Sequence, residues 1–237
     1  AIPNYLYEEY GVRVYGFHGT SHRYVALASA KFLNIEPSSA NLITIHLGNG
    51  ASMAAIKNGK SIDTTLGMTP LTGLVMGTRV GDLDPGVIFY LEEERGYSIK
   101  KVKNLLNKES GMKGLAGEND LRTVTERAKN GDEKSQLALD IYCYRIKKYI
   151  GAYMAVIGPI SAIVFTAGVG ENSAVVREMV CMEMNHLGIV LDHKKNQENL
   201  VTKFELSEYV KYEADGGSVL VFDTNCPHFA GEVKDGG

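Results

Sequence analysis

The sequence predicts an α/β fold, and three observations carry that expectation. Residues 41–65, NLITIHLGNGASMAAIKNGKSIDTT, read as strand, glycine loop, strand, tight turn and strand. Residues 162–167, AIVFTA, form a second β-rich run that passes at once into a glycine-containing turn and a helix. Between them Leu139, Tyr142, Cys143, Ile146, Tyr149, Ile150, Tyr153 and Ile157 recur at three- and four-residue steps, the spacing of one long helix with a single apolar face. With 44% hydrophobic residues, the 237-residue chain can build a substantial core.

Taken in order, residues 5–10 make a short helical turn that Gly11 stops, and residues 12–17 alternate like a strand ending at His18-Gly19-Thr20-Ser21-His22. Ser21 then caps a helix to Phe32, with Tyr24, Val25, Leu27, Ala28 and Phe32 on its inner face. The spacing of His18 and His22 permits a zinc pair, but no third ligand is evident. His18 alone can aim into a cleft from the strand end, although spacing alone favours both rings simply hydrogen-bonding the turn.

In residues 41–65, Leu42, Ile43, Ile45 and Leu47 form an apolar run too short for a helix. Gly48-Asn49-Gly50 ends it, letting the backbone approach a ligand with no Cβ in the way. Such a loop can turn consecutive N–H groups toward an anion, so phosphate binding is its functional reading and a plain hairpin corner its structural one. Asn58-Gly59 is the preferred pair for a two-residue type I′ turn. Residues 67–85 hold four glycines and two prolines without periodicity, an ordered loop of functional type. Its one cation, Arg79, suits the charge spread over a phosphoryl group in flight, or pairs with Asp82. Asp84-Pro85 opens a helix over residues 86–95.

Residues 98–130 read as helical pieces broken by glycines, with Asp120 capping the last of them. Asp132 caps the long helix, 133–157, whose apolar face serves either the core or a subunit interface, and Gly158-Pro159 ends it. After AIVFTA, the stretch Gly168-Val169-Gly170-Glu171-Asn172-Ser173 leads into a helix to His186 and makes a second anion- or nucleotide-binding corner. It lacks the third glycine of a dinucleotide fingerprint. Residues 218–223 give a last strand, and 226–237 an irregular tail.

A net charge of −3, with Lys and Arg spread along the chain, offers no basic field for nucleic acid. Cys143, Cys181 and Cys226 fit neither a disulfide framework nor a zinc spacing, which suits a reducing cytoplasm. No apolar run reaches the length of a membrane span, and no signal peptide stands at the start. The first residues read as the end of a helix and point to a truncated chain.

YGFHGTSH, HLGNG, GMTPLTGLVMGTRVGDLDP, NDLR and FTAGVGENS, in this order, resemble the acetate kinase family. The likeness runs to about Asn225 and matches the C-terminal part of a member. It implies a ribonuclease-H-like domain of the acetate and sugar kinase, heat-shock chaperone and actin superfamily. The expected sheet is mixed and five-stranded, with strands near Val14, Ile43, Met53, Ile62 and Val164 and helices on its faces. The whole of 1–237 then forms one nucleotide-binding and catalytic domain, with 1–12 the tail end of a missing N-terminal part. The implied activity is reversible transfer of the ATP γ-phosphoryl group to acetate, giving acetyl phosphate and ADP, incomplete in this fragment. Propionate or butyrate kinase, or a non-catalytic nucleotide-binding remnant, are the alternatives.

Residue by residue, the resemblance makes His18 and Arg79 transition-state stabilisers. It makes His46, Leu47, Gly48, Asn49 and Gly50 a phosphate loop, and Asp120, Leu121, Arg122, Gly168, Val169, Gly170, Glu171 and Asn172 nucleotide contacts. It also implies Mg²⁺ and a homodimer. The family continues its last strand as Thr-Asn-Glu-Glu, whereas this chain reads Thr224-Asn225-Cys226-Pro227, so the protein ligand of the magnesium site is missing.

Overall fold

The computed structural model describes residues 1–197 and the strand segments 213–214 and 217–221. A short helix α1 (Tyr5–Tyr10) is stopped by Gly11 in the left-handed conformation and is followed by helix α2 (Gly19–Phe32). Strands β1 (Leu42–Leu47), β2 (Ala51–Lys57) and β3 (Lys60–Thr64) come next. Helices α3 (Gly86–Glu93), α4 (Ile99–Lys108), α5 (Gly111–Ala116), α6 (Leu121–Lys129) and α7 (Glu133–Ile157) then lead to β4 (Ala162–Thr166). Helices α8 (Ala167–Asn172), α9 (Ala174–Cys181) and α10 (His193–Gln197) precede the strand segments β5 (Glu213–Ala214) and β6 (Gly217–Val221).

One mixed sheet runs in the order β3-β2-β1-β4-β6-β5. β1 pairs antiparallel with β2 and parallel with β4, and β4 pairs parallel with β6. The hairpin turn has Asn58 at φ 51° and Gly59 at φ 72°, as a type I′ turn demands. β1 is buried along its whole length, and its residues alternate between two cores. Ile43, Ile45 and Leu47, with Met53 of β2 and Phe165 of β4, pack against α5, α6, α7 and α9. Leu42, Ile56 and Val164 face the other way, onto Val25 and Ala30 of α2. Asp132 caps α7 by accepting from Ser135 N at 3.2 Å, and Tyr142, Ile146, Ile150 and Tyr153 of that helix are buried. Its apolar face belongs to the core of this chain.

Three expectations fail. Residues 12–17 are no strand: Val14 and Tyr15 are both exposed, so their alternation buries nothing, and Tyr15 and Gly16 both donate to the one carbonyl of Gly67. The sheet's further strands come from the C-terminal segments instead. Ser21 does not cap α2, which starts earlier, with His18 in the N-cap position; Tyr24 and Leu27 are exposed, while His22 and Ser29 take their place on the inner face. The helix expected to reach His186 starts where expected, with Ser173 capping α9 through Val176 N, but ends at Cys181, and only a 3-10 turn covers Asn185–Leu187. The glycines expected to form a turn lie inside α8.

Residues 67–85 carry no helix or strand and are tied down by backbone bonds. Ser110 N donates to Thr78 O, Met112 N to Met76 O and Lys113 N to Gly77 O, at 3.1, 2.9 and 2.9 Å. Gly111 makes this docking possible. Its φ is +62°, and a Cβ there would stand 2.1 Å from Met76 O and 2.7 Å from Arg79 O. Gly117 has a similar φ of +71° with open space around it. Gly117→Ala should therefore cost only the left-handed penalty of about 1–2 kcal/mol, and Gly111→Ala clearly more. Urea unfolding of the two variants checks this; equal losses would mean that the loop is not held by its close approach to α5.

Candidate active site

Three imidazoles gather where α2 begins above the sheet. His18 sits at the N-cap position of α2 with φ 59°, and Ser21 and His22 follow on the first turn. From below, the register that sends Ile45 and Leu47 into the large core sends Thr44 and His46 to the α2 side, and His46 pairs across with Ser52 of β2. His18 Nδ1 and His22 Nε2 both lie within hydrogen-bond distance of Ser52 Oγ, at 2.7 and 2.8 Å. His22 Nδ1 is 2.8 Å from Thr44 Oγ1, and Ser21 Oγ is 2.9 Å from His46 Nδ1. The rings of His18 and His46 stack with centroids 4.2 Å apart.

Arg79 approaches this cluster from the 67–85 loop. Its Nη1 donates to Pro70 O at 3.1 Å and lies 3.7 Å from Met76 Sδ. A Cβ on Gly50 would meet Arg79 Nη1 at 3.3 Å and His18 Cε1 and Nε2 at 3.7 Å, so guanidinium and imidazole converge on one glycine. Asp82, the alternative partner for Arg79, is engaged elsewhere. It accepts from Gly73 N and Tyr149 OH, both at 2.7 Å, and faces Arg145 of α7 at 3.4 Å.

One residue back along the same loop, Gly48 and Asn49 line a cavity of about 860 Å³. Its wall also includes Gly77, Asp120, Leu121, Arg122, Gly168, Val169 and Asn172. It opens beyond the carboxyl ends of the parallel strands β1 and β4, where ligands of open α/β sheets bind. Asp120 caps α6 through Arg122 N at 2.9 Å and grips the Arg122 guanidinium at 2.6 Å. That charged hydrogen bond holds the carboxyl down at about 2, so the pair stands ionised at neutral pH.

Separate stretches of sequence around positions 48, 77, 120 and 168 therefore meet around one space. Other residues expected there do not reach it. Leu47 lies in the core, and His46 faces Ser21 and His18. Gly170 is buried, with a Cβ position 3.5–3.7 Å from Phe165 and Ile45 O. Glu171 turns inward, accepting from Ala167 N at 2.7 Å and Thr166 Oγ1 at 3.2 Å. The site residues that sequence reading missed are Ser21, Thr44 and Ser52; for Thr44 and Ser52 the available signal was a polar side chain within an otherwise apolar strand.

Among the described residues no three His, Cys, Asp or Glu side chains gather as metal ligands, and the altered stretch 224–227 and the tail 226–237 lie outside them. Among the described residues no helix is long and apolar enough to cross a membrane. Cys143 and Cys181 are free and buried, each thiol pushed up by burial to about 12.

The profile of the Acetokinase family matches residues 1–227. The chain is 55% identical over 199 residues to the acetate kinase of Syntrophobacter fumaroxidans, covering 84% of this chain and 48% of that protein. It is 57% identical over 196 residues to the acetate kinase of a Sulfurovum species, covering 82% and 50%. In shape, the acetate kinase of Porphyromonas gingivalis matches 94% of this chain and 55% of its own, with a TM-score of 0.85 at 45% identity. The propionate kinase of Francisella tularensis matches 95% and 56%, with a TM-score of 0.86 at 41% identity. The chain thus spans about half the length of the curated relatives it matches.

Burial first, then His46 and His18, push the His22 imidazole down from 6.5 to about 3. Between those values the unfolded chain binds a proton that the folded one refuses, so this contribution is fully present above pH 6.5 and is lost as pH falls toward 3. About 2 kcal/mol should go between about pH 6.5 and pH 5. Urea midpoints across that range should fall more steeply for the parent than for His22→Gln; equal slopes would mean that folded His22 takes up the proton.

Proposed function

The chain belongs to the Acetokinase family, and from that premise we propose that it carries the nucleotide-binding wall and the phosphoryl-stabilising groups of a kinase that transfers the ATP γ-phosphoryl group to acetate. The observation that carries this reading is the convergence of Gly48–Asn49, Asp120–Arg122 and Gly168–Asn172 on one cavity, with Arg79 and His18 meeting at Gly50 beside it. ATP or ADP lies with its phosphates near Gly48 to Gly50 and its adenosine near Gly168, Val169 and Asn172. An acetate carboxylate oxygen attacks the γ-phosphorus in line, a P–O bond forms as the bond to the β-phosphate oxygen breaks, and ADP leaves with the electron pair. The chemistry reverses from acetyl phosphate.

In a loose transfer the protein mainly positions and neutralises. The Arg79 guanidinium supplies charge and donors in a fixed fork, and the His18 ring one hydrogen bond to the equatorial oxygens. Glycine at position 50 lets both come close. A bound Mg²⁺ would neutralise the phosphates, held largely by them and by water. Propionate is a second acceptor class, favoured by the close likeness in shape to a propionate kinase. We also read the protein as a cytoplasmic homodimer. The buried free thiols support the setting, and the exposed Val87, Phe89 and Tyr90 of α3, a helix that buries none of its residues, support the assembly.

Two measurements test the reading. Gly168 lines the cavity and has nothing within 4 Å of its Cβ position, so Gly168→Val should fold and should weaken ADP binding at least tenfold by calorimetry. Gly170→Val would instead strike Phe165. Unchanged affinity in Gly168→Val would place the nucleotide elsewhere. In the full-length protein carrying these residues, acetate, ATP and hydroxylamine should give acyl hydroxamate. Residues 1–237 by themselves, which span about half the length of the relatives, should give little, because a misplacement of about an angstrom already costs on the order of a hundredfold. Arg79→Ala in the full-length protein should lower kcat far more than it raises KM for ATP. A pure KM effect, or full turnover by the present chain, would defeat the assignment.

A further inference from the structure

We propose that the Ser52 hydroxyl, backed by His22, is a positioning group that fixes His18 as the tautomer carrying its proton on Nε2, the nitrogen on the Gly50 side. The inference follows from counting protons along one chain of atoms. Thr44 Oγ1, His22 Nδ1, His22 Nε2, Ser52 Oγ and His18 Nδ1 are linked in series by contacts of 2.8, 2.8 and 2.7 Å. Each hydroxyl brings one proton, and a neutral imidazole donates from one nitrogen and accepts at the other. His22 is neutral, since burial holds it far below the ordinary histidine range.

Three wirings satisfy these contacts. One has Ser52 accept from both His22 Nε2–H and His18 Nδ1–H and strands the Ser52 proton, since Ser52 is 0% exposed and among the described residues its hydroxyl has no other partner. Two wirings remain. In the first, His22 Nδ1–H donates to Thr44, Ser52 donates to His22 Nε2, and His18 Nδ1–H donates to Ser52. The Thr44 proton then has nowhere to go: Thr44 is 0% exposed, and among the described residues its hydroxyl has no other hydrogen-bond partner. Leaving a buried donor unmade carries a full desolvation penalty. In the second, Thr44 donates to His22 Nδ1, His22 Nε2–H donates to Ser52, and Ser52 donates to His18 Nδ1. Every buried proton is placed, and His18 carries its own on Nε2.

The second wiring delivers a donor on the side where His18 Nε2 and Arg79 Nη1 both approach Gly50. For an anion in the cleft, that is the useful tautomer; the first wiring would present a lone pair. The consequence for catalysis rests on the phosphoryl-facing role given to His18 above, whereas the tautomer does not. Ser52 touches neither nucleotide nor acceptor and acts through His18.

Proton–nitrogen correlation spectra of the histidine ring nitrogens distinguish the two tautomers directly. They are recorded on the present chain without nucleotide, in mildly alkaline buffer, with His18 assigned by its loss in His18→Gln. The parent should show an acceptor-type Nδ1 and a protonated Nε2. Ser52→Ala should give a mixture, and Ser52→Thr, which keeps a hydroxyl, should restore the parent pattern. A parent protonated mainly on Nδ1 overturns the proposal whether or not the variants fold. So does a folded Ser52→Ala with an unchanged pattern. If the parent shows the Nε2–H form but His18→Ala leaves kcat of the full-length enzyme unaltered, the phosphoryl role fails and the tautomer assignment stands.

Discussion

The pairing of β1 with both neighbours is the constraint on which the rest depends. β1 is the only strand that faces an antiparallel partner on one side and a parallel one on the other among the first four, and all six of its residues are buried. A slip of one residue would exchange its two faces. Ile43, Ile45 and Leu47 would leave the core shared with α7, and Thr44 and His46 would enter it without partners. The register is therefore enforced from both sides of the sheet. The same register fixes where β1 and β4 end, and so where Gly48 and Gly168 open onto a common cavity.

Local rules made much of this legible. The Asn58-Gly59 turn, the Asp120 and Asp132 caps and the three- and four-residue steps of α7 each depend on neighbours in sequence, and each stands as read. Failures came where a distant contact decides. Residues 12–17 alternate like a strand, yet among the described residues no strand edge receives them. Ser21 has the chemistry of a cap, but His46 sits 2.9 Å away and takes its hydroxyl. Gly170 lies in a motif with Gly168, and only the packing of α8 onto β1 and β4 shows that one faces Phe165 and the other the cavity. Individual glycines in a motif cannot be sorted without the helix phase.

The 67–85 loop illustrates how an irregular segment is made rigid without secondary structure. Its backbone groups are distributed to α4 and α5, where Val80 N reaches Leu106 O at 3.0 Å and Gly77 O and Met76 O receive the first turn of α5. Asp82 braces the loop from within by joining Gly73, Tyr149 and Arg145, so α7 anchors it from below. Partnering Asp82 away from Arg79 also leaves the guanidinium's charge uncompensated by that carboxylate. In the role proposed for Arg79 this arrangement helps, because a permanent ion pair would have to break before the guanidinium met a phosphoryl group.

The start of α2 carries a cost that the site offsets. His18 holds φ at 59°, a left-handed value that a residue with a Cβ adopts at roughly 1–2 kcal/mol. That conformation swings the ring back over β1 and β2, where stacking on His46 and the bond to Ser52 hold it. A histidine on a relaxed helical start would follow the helix surface instead. Strain at one residue is thus exchanged for a ring whose plane, height and hydrogen-bonding nitrogen are all set before any ligand arrives, which is what preorganised stabilisation of a transition state requires. His22 makes the exchange durable. Buried and neutral, it joins helix to both strands through two hydroxyls, and a substitution there would loosen the cluster from the side away from Gly50.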